Sequence, residues 1–246
     1  MGYIASHYDS TLFLRRIDKC TILLLLYVND IIITGDDLIG IQELKDFLSQ
    51  QFKMKDLGHL SYFLGLEITH STDELYITQA KYASKLLSQA GLTNSKTVDT
   101  PVELNAHLTP TRGKPLSNPS LYKRLVGSLV YLTVTRPYIS YAVHQVSQYL
   151  SAPRSTHHAV VLCILRYLKG TLSHGLFYFA QSPLVHRAFF YANWAGNPTD
   201  CRSTTSYCFL LSSSLISWQS KKQTHVAHSS IEAEYHALTD TTSELL

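Results

Sequence analysis

The sequence predicts an α+β fold, because strand-like and helix-like segments occupy separate stretches of the chain. The first stretch mixes short apolar runs with helices, the second is almost entirely helical, and the third returns to strands followed by one helix. These changes of pattern divide the chain into three predicted parts: residues 1–100, 101–180 and 181–246.

The composition is that of a globular protein. Of 246 residues, 45% are hydrophobic and 16% are charged, which excludes a disordered or fibrous chain. The formal charge of +3 permits a polyanionic partner without requiring one. The four cysteines lie at no disulfide or zinc-finger spacing and indicate free thiols. Without a signal peptide or an apolar run of ~18 residues, the sequence predicts a soluble intracellular protein with no membrane partner.

The first part contains predicted strands and two predicted helices. Runs rich in Leu, Ile, Val and Tyr predict strands in STLFLRR, TILLLLYV, IIITG, LSYFLGLEIT and ELYIT. HSTD, between the last two, fits a hairpin turn. Helical spacing of apolar residues predicts helices over 38–52 and in KYASKLLSQAG, which ends at Gly91.

The second part is a loop followed by helices. Four prolines in residues 93–120 predict a long loop. Apolar residues at steps of three and four then predict helices in SLYKRLVGSLVYLTVT, ISYAVHQVSQYLS and HHAVVLCILRYLKGT.

The third part is predicted to be a sheet with one helix. GLFYF, RAFFYANWAG, SYCFLLSS and LISWQSKKQTHV have strand composition, and the first of them lies just before the predicted boundary. A last helix begins at Ser229-Ser230, with Glu232 and Glu234 in its first turn, where carboxylates suit the helix dipole.

The stretch LLLLYVNDIIIT places a polar pair, Asn29-Asp30, between two apolar arms. Asn and Asp tolerate positive φ, so the pair fits a two-residue hairpin turn. A metal site is the alternative. The next acidic pair, Asp36-Asp37, could also bind a metal, but carboxylates at the start of a helix are the favoured interpretation.

Several motifs, in order along nearly the whole chain, resemble those of copia-type LTR retrotransposon Pol polyproteins. YVNDIIITGDD resembles the YVDD box of reverse transcriptases, and FKMKDLGHLSYFLGLEI, LVGSLVYLTVTRPYISYAV and ILRYLKGT resemble the stretches that follow it. YANWAG, RSTTSYCFLL, LISWQSKKQ and SSIEAEYHAL are similar to the start of the ribonuclease H domain.

The resemblance implies a partial reverse-transcriptase palm hairpin, thumb-like helices and an incomplete ribonuclease H-like sheet with one helix. Family polymerisation uses two Mg²⁺ or Mn²⁺ ions held by carboxylates. Asp30 is then a catalytic metal ligand, whereas Asn29 replaces the more important aspartate of the pair. The third carboxylate of the family is expected upstream of Ser10, outside this chain.

The ribonuclease H motifs imply a second degenerate site. Tyr191 stands where the family has its first metal-binding aspartate, and Asn193 replaces a neighbouring one. Glu232 matches the glutamate of the family's helix and is the expected metal ligand. Outside these sites, Cys201 replaces a residue that is usually basic, and Tyr138 replaces the aspartate of a TRPDI motif.

The implied function is reverse transcription within the retrotransposition and DNA integration cycle, with this copy predicted to be catalytically inactive and its metal not productively bound. The implied partners are an RNA template, an RNA–DNA hybrid, and intact Pol or a virus-like particle, in the cytoplasm or nucleus. Phosphate contacts and ordinary surface positions are equally open for the basic residues Arg15, Arg16, Lys169, Lys221 and Lys222, and Tyr27 is a further candidate for nucleic-acid binding. Two other functions remain open: a nucleic-acid-binding remnant, or the non-functional product of a decayed element.

Overall fold

The computed structural model describes residues 2–17, 20–103 and 108–245. These residues form helices and three antiparallel sheets, joined by turns and loops. The predicted combination of α and β structure is thereby confirmed. The chain forms two compact units, Met1–Leu60 and Ser61–Leu246. The boundaries at 100 and 180 remain predictions. Over the ranges just given, no helix has the length and apolar character needed to cross a membrane.

In its described residues, the first unit is a four-stranded antiparallel sheet with one helix. The strands pair in sequence order. Its elements are β1 (Ile4–Ala5), β2 (Leu12–Ile17), β3 (Cys20–Tyr27), β4 (Asp30–Gly35) and α1 (Leu38–Gln51). Alternate β3 side chains, Ile22 and Leu24, are buried, as is Leu44 of α1. Gly40 of α1 lies against Ile22, where a Cβ atom would come within 2.8 Å of the Ile22 side chain.

The two acidic residues before α1 have structural roles. The Asp37 carboxylate accepts a hydrogen bond from the Gly40 N–H at 2.9 Å and caps the helix. The Asp36 carboxylate accepts one from the Thr21 N–H of β3. The Asp37 contact agrees with the favoured helix-start interpretation, whereas the Asp36 contact connects the chain before α1 to β3.

The second unit contains two sheets and five α-helices among the residues that the structure describes. Its elements are β5 (Tyr62–Phe63), β6 (Leu66–His70), β7 (Glu74–Thr78), α2 (Ala80–Gln89), α3 (Pro119–Leu132), a 3₁₀ turn (Pro137–Ile139), α4 (Ser140–Ser147), α5 (Ser155–Gly170), β8 (Leu176–Phe179), β9 (His186–Asn193), β10 (Thr204–Leu211), β11 (Ser214–Lys222) and α6 (Ser230–Leu245). The sheet orders are β5-β6-β7-β8 and β11-β10-β9.

The first of these sheets is completed by a strand from beyond the helices. The predicted strand LSYFLGLEIT is two strands, because Leu64 and Gly65 both have positive φ and turn the chain between β5 and β6. The predicted HSTD hairpin joins β6 and β7. β8 then pairs with β7, placing Leu75 opposite Tyr178.

Helices α2 to α5 enclose the main hydrophobic core. Its helical members recur at helical spacing, as the sequence predicts. Those that are at most 3% exposed are Ala83 and Leu86 of α2, Tyr122, Leu125, Val126, Leu129 and Leu132 of α3, Ala142, Val143 and Val146 of α4, and Val161, Ile164, Leu165 and Leu168 of α5. The helices therefore form one packed block.

Residues 108–116, here called the strap, run along the start of α5. They belong to the predicted loop, of which residues 104–107 lie outside the described part. The fully buried His157 fixes the strap: its Nδ1 accepts from the Arg154 N–H at 3.1 Å, and its Nε2 donates to the Thr109 carbonyl at 3.0 Å. Because Nδ1 can accept only when it carries no proton, the first contact requires a neutral imidazole, and burial lowers the pKa of His157.

A second histidine joins the helices to the last sheet. His144 Nε2 of α4 accepts from the Lys222 N–H of β11 at 3.1 Å. Burial, and then the Lys222 charge, lower the pKa of His144. The Trp218 indole N–H of the same strand donates to the Thr133 carbonyl at 2.8 Å, so β11 is anchored to the helical block at two points.

We expect the second unit to lose stability as the pH falls below about 6.5, the ordinary pKa of histidine. Because the folded-state pKa values of His144 and His157 are depressed, the unfolded chain takes up these protons first. The contribution of the two histidines is complete only well above pH 6.5 and decreases as the pH falls through that value, so the free energy of unfolding should be lower at pH 5.5 than at pH 7.5. Both tryptophans lie in this unit, so urea unfolding followed by tryptophan fluorescence measures the change.

The control for this pH dependence is His157→Gln. The quantity to compare between the variant and the wild type is the slope of the free energy of unfolding against pH, and not the free energy itself. The variant should show a flatter loss of stability with falling pH. An unchanged slope in the variant, or a wild-type stability that rises on acidification, would contradict the role given to His157.

The last sheet packs on α6 through small side chains. Ala192 of β9 and Ala233 and Ala237 of α6 are buried in one cluster. Since Ala192 faces the helix, the period of two in a strand places its neighbour Tyr191 on the opposite face, where it is 60% exposed.

Candidate functional site

The β3–β4 hairpin presents the YVND segment at its tip. Tyr27 and Asp30 are directly opposite each other, so the turn is formed by Val28 and Asn29. The predicted turn, Asn29-Asp30, is therefore wrong by one residue, and Asp30 begins β4. Positive φ occurs at Val28, with φ 49°, and not at Asn29. All four side chains are exposed to solvent.

Val28→Gly is expected to stabilise the hairpin by about 1 kcal/mol, because a β-branched residue with positive φ is strained and glycine is not. The Val28 side chain is 90% exposed, so its removal costs little packing. Hydrogen exchange of the β3 and β4 amides measures the gain. The matched control is Asn29→Gly, which should give no gain because φ is not positive there; equal effects of the two changes would refute the assignment of the turn.

The hairpin tip carries one acidic side chain of the YVND segment. Asp30 supplies a carboxylate and Asn29 an uncharged amide, while Asp36 and Asp37 are committed to the Thr21 and Gly40 amides. Nowhere in the described ranges do three His, Cys, Asp or Glu side chains come together as a possible metal site.

The second predicted site lies where β9 meets α6. Glu234, and not Glu232, is the acidic side chain that contacts β9: its Oε1 accepts from the Ala192 N–H at 3.2 Å, beside Tyr191. Glu232 caps the start of its own helix, accepting from the His228 N–H at 2.7 Å and lying 3.7 Å from His236 Nε2. The assignment of Glu232 as a metal ligand stays a prediction.

The spacing of small residues in α6 could have indicated that Glu234 lies near the sheet. Ala233, Ala237 and Thr241 are the buried residues of α6. Because successive residues are rotated by 100° about a helix axis, Glu234 lies closer to this buried stripe than Glu232 does. The stripe of small residues therefore favours Glu234 as the acidic residue nearest the sheet.

The predicted nucleic-acid-binding lysines have different surroundings. Lys222 Nζ lies 2.7 Å from the Asp200 carboxylate and 3.2 Å from Gln148 Oε1. Lys169 Nζ donates to the Ser95 carbonyl at 2.6 Å. Lys221 is exposed, as is Tyr27 at the hairpin tip. Their contact with phosphates stays a prediction.

A buried cation in the helical block was not anticipated. Arg136 is fully buried, and its guanidinium donates to the Tyr138 hydroxyl and to the Thr171 and Leu172 carbonyls at 2.6–2.8 Å. Its Nε has no hydrogen-bond partner, and no carboxylate of the described residues forms a salt bridge with it. Tyr138 thus supplies the hydrogen bond at the position where the resemblance places an aspartate.

Comparison with known proteins agrees with the order of the motifs. Residues 2–104 match the family described as reverse transcriptase (RNA-dependent DNA polymerase). The chain is 40% identical over 245 residues to the retrovirus-related Pol polyprotein from transposon RE2 of Arabidopsis thaliana, and 37% identical over 254 residues to that from transposon TNT 1-94 of Nicotiana tabacum. These alignments cover 100% and 99% of the chain, but the chain spans only 17% and 19% of the two polyproteins.

A shorter relative is similar over most of its own length. It is an uncharacterized mitochondrial protein of Arabidopsis thaliana, 42% identical over 222 residues, which are 90% of this chain and 92% of that protein. No solved structure matches the chain. With a reverse transcriptase domain at its start and full-length similarity to these transposon polyproteins, the chain belongs to the copia-type retrotransposon Pol polyproteins.

Proposed function

We propose that this chain is a reverse transcriptase and ribonuclease H segment that binds nucleic acid but does not catalyse metal-dependent phosphoryl transfer. The observation that carries the proposal is Asn29 at the tip of the β3–β4 hairpin, in the place of an aspartate. Asn29 fits the turn but supplies no negative charge.

The loss of that charge has a large expected effect on polymerisation. Two divalent ions stabilise the attacking and leaving oxygens of a phosphoryl transfer, and each contributes several kcal/mol. A loss of about 1.4 kcal/mol already lowers a rate tenfold. With one carboxylate at the hairpin tip, we expect no measurable DNA synthesis.

The same reasoning applies to the proposed ribonuclease H site. Tyr191 stands in the place of a metal-binding aspartate, and a neutral phenol is a poor ligand for Mg²⁺. The neighbouring Asn193 is also uncharged, and its Nδ2 lies 3.5 Å from the Tyr141 hydroxyl. Glu234 of α6 contacts β9, but β9 itself carries no Asp or Glu. RNA cleavage in a hybrid should therefore be absent as well.

Primer extension on poly(rA)·oligo(dT), with Mg²⁺ and separately with Mn²⁺, tests the polymerase half of the proposal. Release of labelled RNA fragments from an RNA–DNA hybrid tests the nuclease half. We expect both signals to equal a blank without protein. Clear extension or cleavage by the purified wild-type chain would overturn the proposal.

The proposed partners are an RNA template, an RNA–DNA hybrid, and intact Pol or a virus-like particle, and the proposed location is the cytoplasm or nucleus. A second candidate is the product of a decayed element with no function. It is favoured by the combination of substitutions at Asn29, Tyr191 and Asn193. Recombinant chain that is insoluble or unfolds without cooperativity would support this candidate, whereas a soluble chain with salt-dependent hybrid binding would exclude it.

A further inference from the structure

The charges of the chain are unevenly distributed. From Leu104 to Thr199 the sequence contains nine Lys and Arg residues and no Asp or Glu, so all 18 carboxylate side chains lie outside this stretch. The stretch includes the strap, α3, α4 and α5. A surface on which Lys and Arg outnumber Asp and Glu has a positive potential, and this potential attracts polyanions.

Three of the nine cations are engaged within the fold, and one of them is Arg154, which donates to the Gly113 carbonyl. Arg136 is buried, and Lys169 donates to the Ser95 carbonyl. Arg112 and Lys114 of the strap are exposed, and Arg154 beside them is half-buried. No salt bridge to a carboxylate involves these three in the described part of the chain.

The strap backbone is held firmly against the start of α5. Thr156 Oγ1 donates to the Arg112 carbonyl, and the Arg154 guanidinium donates to the Gly113 carbonyl, both at 2.8 Å. The Ser155 N–H donates to the Lys114 carbonyl at 2.8 Å. Gly113 has φ 88°, and a Cβ atom there would lie 2.8 Å from Ser155 Oγ, so the site requires glycine.

These contacts use backbone atoms of Arg112 and Lys114, so both charged side chains remain available on a rigid support. Binding through such a support loses little conformational entropy. The acidic residue Asp200 lines a cavity with Pro110 of the strap. It is neutralised by Lys222 Nζ at 2.7 Å and lies 3.7 Å from Arg202 Nε.

We propose that Arg112, Lys114 and Arg154 form a contact site for the phosphate backbone of an RNA–DNA duplex. The inference rests on the proposed function and assigns part of the binding to named residues. The neighbouring residues, TRGKP of the strap and RST at the start of α5, include no aromatic side chain. Single-stranded binding usually relies on aromatic stacking, so this composition favours the backbone of a duplex.

The test compares two double variants of the full chain with equal charge changes. R112Q/K114Q removes two cations from the strap, whereas the control K81Q/K85Q removes two exposed lysines from α2. Lys81 lies 3.8 Å from Glu67 and should contribute little to binding. The probe is a 20-base-pair RNA–DNA hybrid, and binding is measured by fluorescence anisotropy from 50 to 300 mM salt.

We expect R112Q/K114Q to weaken binding at least tenfold at 50 mM salt and to reduce the slope of log K against log salt by about 2, one unit for each lost phosphate contact. K81Q/K85Q should retain the wild-type slope. Equal losses in both variants would show that net charge alone attracts the duplex, and would overturn the inference. A wild-type slope in R112Q/K114Q would also overturn it while leaving the proposed function intact. Failure of the wild-type chain to bind would overturn both.

Discussion

Gly35→Ala is expected to unfold the first unit. Gly35 ends β4, and a Cβ atom at this position would lie 2.1 Å from the Thr21 carbonyl oxygen and 3.0 Å from the Ile22 Cα. Both are backbone atoms of β3, which cannot move aside without breaking the β3–β4 pairing. The cost should reach roughly 3 kcal/mol or more, a large part of the stability of so small a unit.

Hydrogen exchange of the β3 amides in the full chain measures this effect. The matched control is Gly58→Ala in the same unit, where φ is 74° but no atom lies within 4 Å of the added Cβ. That change carries only the conformational cost of positive φ, about 1 kcal/mol. Similar losses of protection in the two variants would show that the close approach of Gly35 to β3 is incorrect.

Tyr138→Phe is expected to lower the free energy of unfolding of the second unit by about 2 kcal/mol. The phenol accepts a hydrogen bond from the Arg136 guanidinium at 2.8 Å, and Arg136 is fully buried. Removing the acceptor leaves a donor of a buried charged group without its partner, a costly defect. The ring contacts of Tyr138 with Tyr167 and His174 are retained by phenylalanine, so the change isolates the hydrogen bond.

Urea unfolding followed by tryptophan fluorescence gives this free energy. Tyr141→Phe is the matched control, because Tyr141 has similar exposure, 38% against 36%, and its hydroxyl makes only a 3.5 Å contact with Asn193. The control should change stability by less than about 0.5 kcal/mol. If Tyr138→Phe were as mild as Tyr141→Phe, Arg136 would not depend on the phenol.

Much of the fold follows from local pattern. The apolar runs on either side of Tyr27 predict β3 and β4, and three- and four-residue spacing predicts α3 and α5. The pairing of β8 with β7 could not be predicted in this way, because its partners Leu75 and Tyr178 are brought together only by the packed helices between them. Local pattern specifies an element, whereas its neighbours depend on tertiary contacts.

The candidate sites show a similar division. The order of the motifs predicted the family. It also predicted that Asn29 and Tyr191 replace aspartates of the family, because such a prediction needs only the identity of the residue at each position. The position of the turn was missed by one residue because Asn and Asp are the usual residues at positive φ, and here Val28 adopts it. The burial of Arg136 was missed because arginine is seldom fully buried without a carboxylate partner.

We propose that this chain binds nucleic acid without extending or cleaving it, and one sample can test both parts of the proposal. A primer–template with a labelled DNA primer on RNA is incubated with the wild-type chain, all four deoxynucleotides and Mg²⁺. The bound fraction and the lengths of both strands are then measured. We expect a bound fraction that falls steeply as the salt concentration rises, and primer and RNA strands of unchanged length. Extended primer or shortened RNA, in proportion to the protein added, would contradict the proposal.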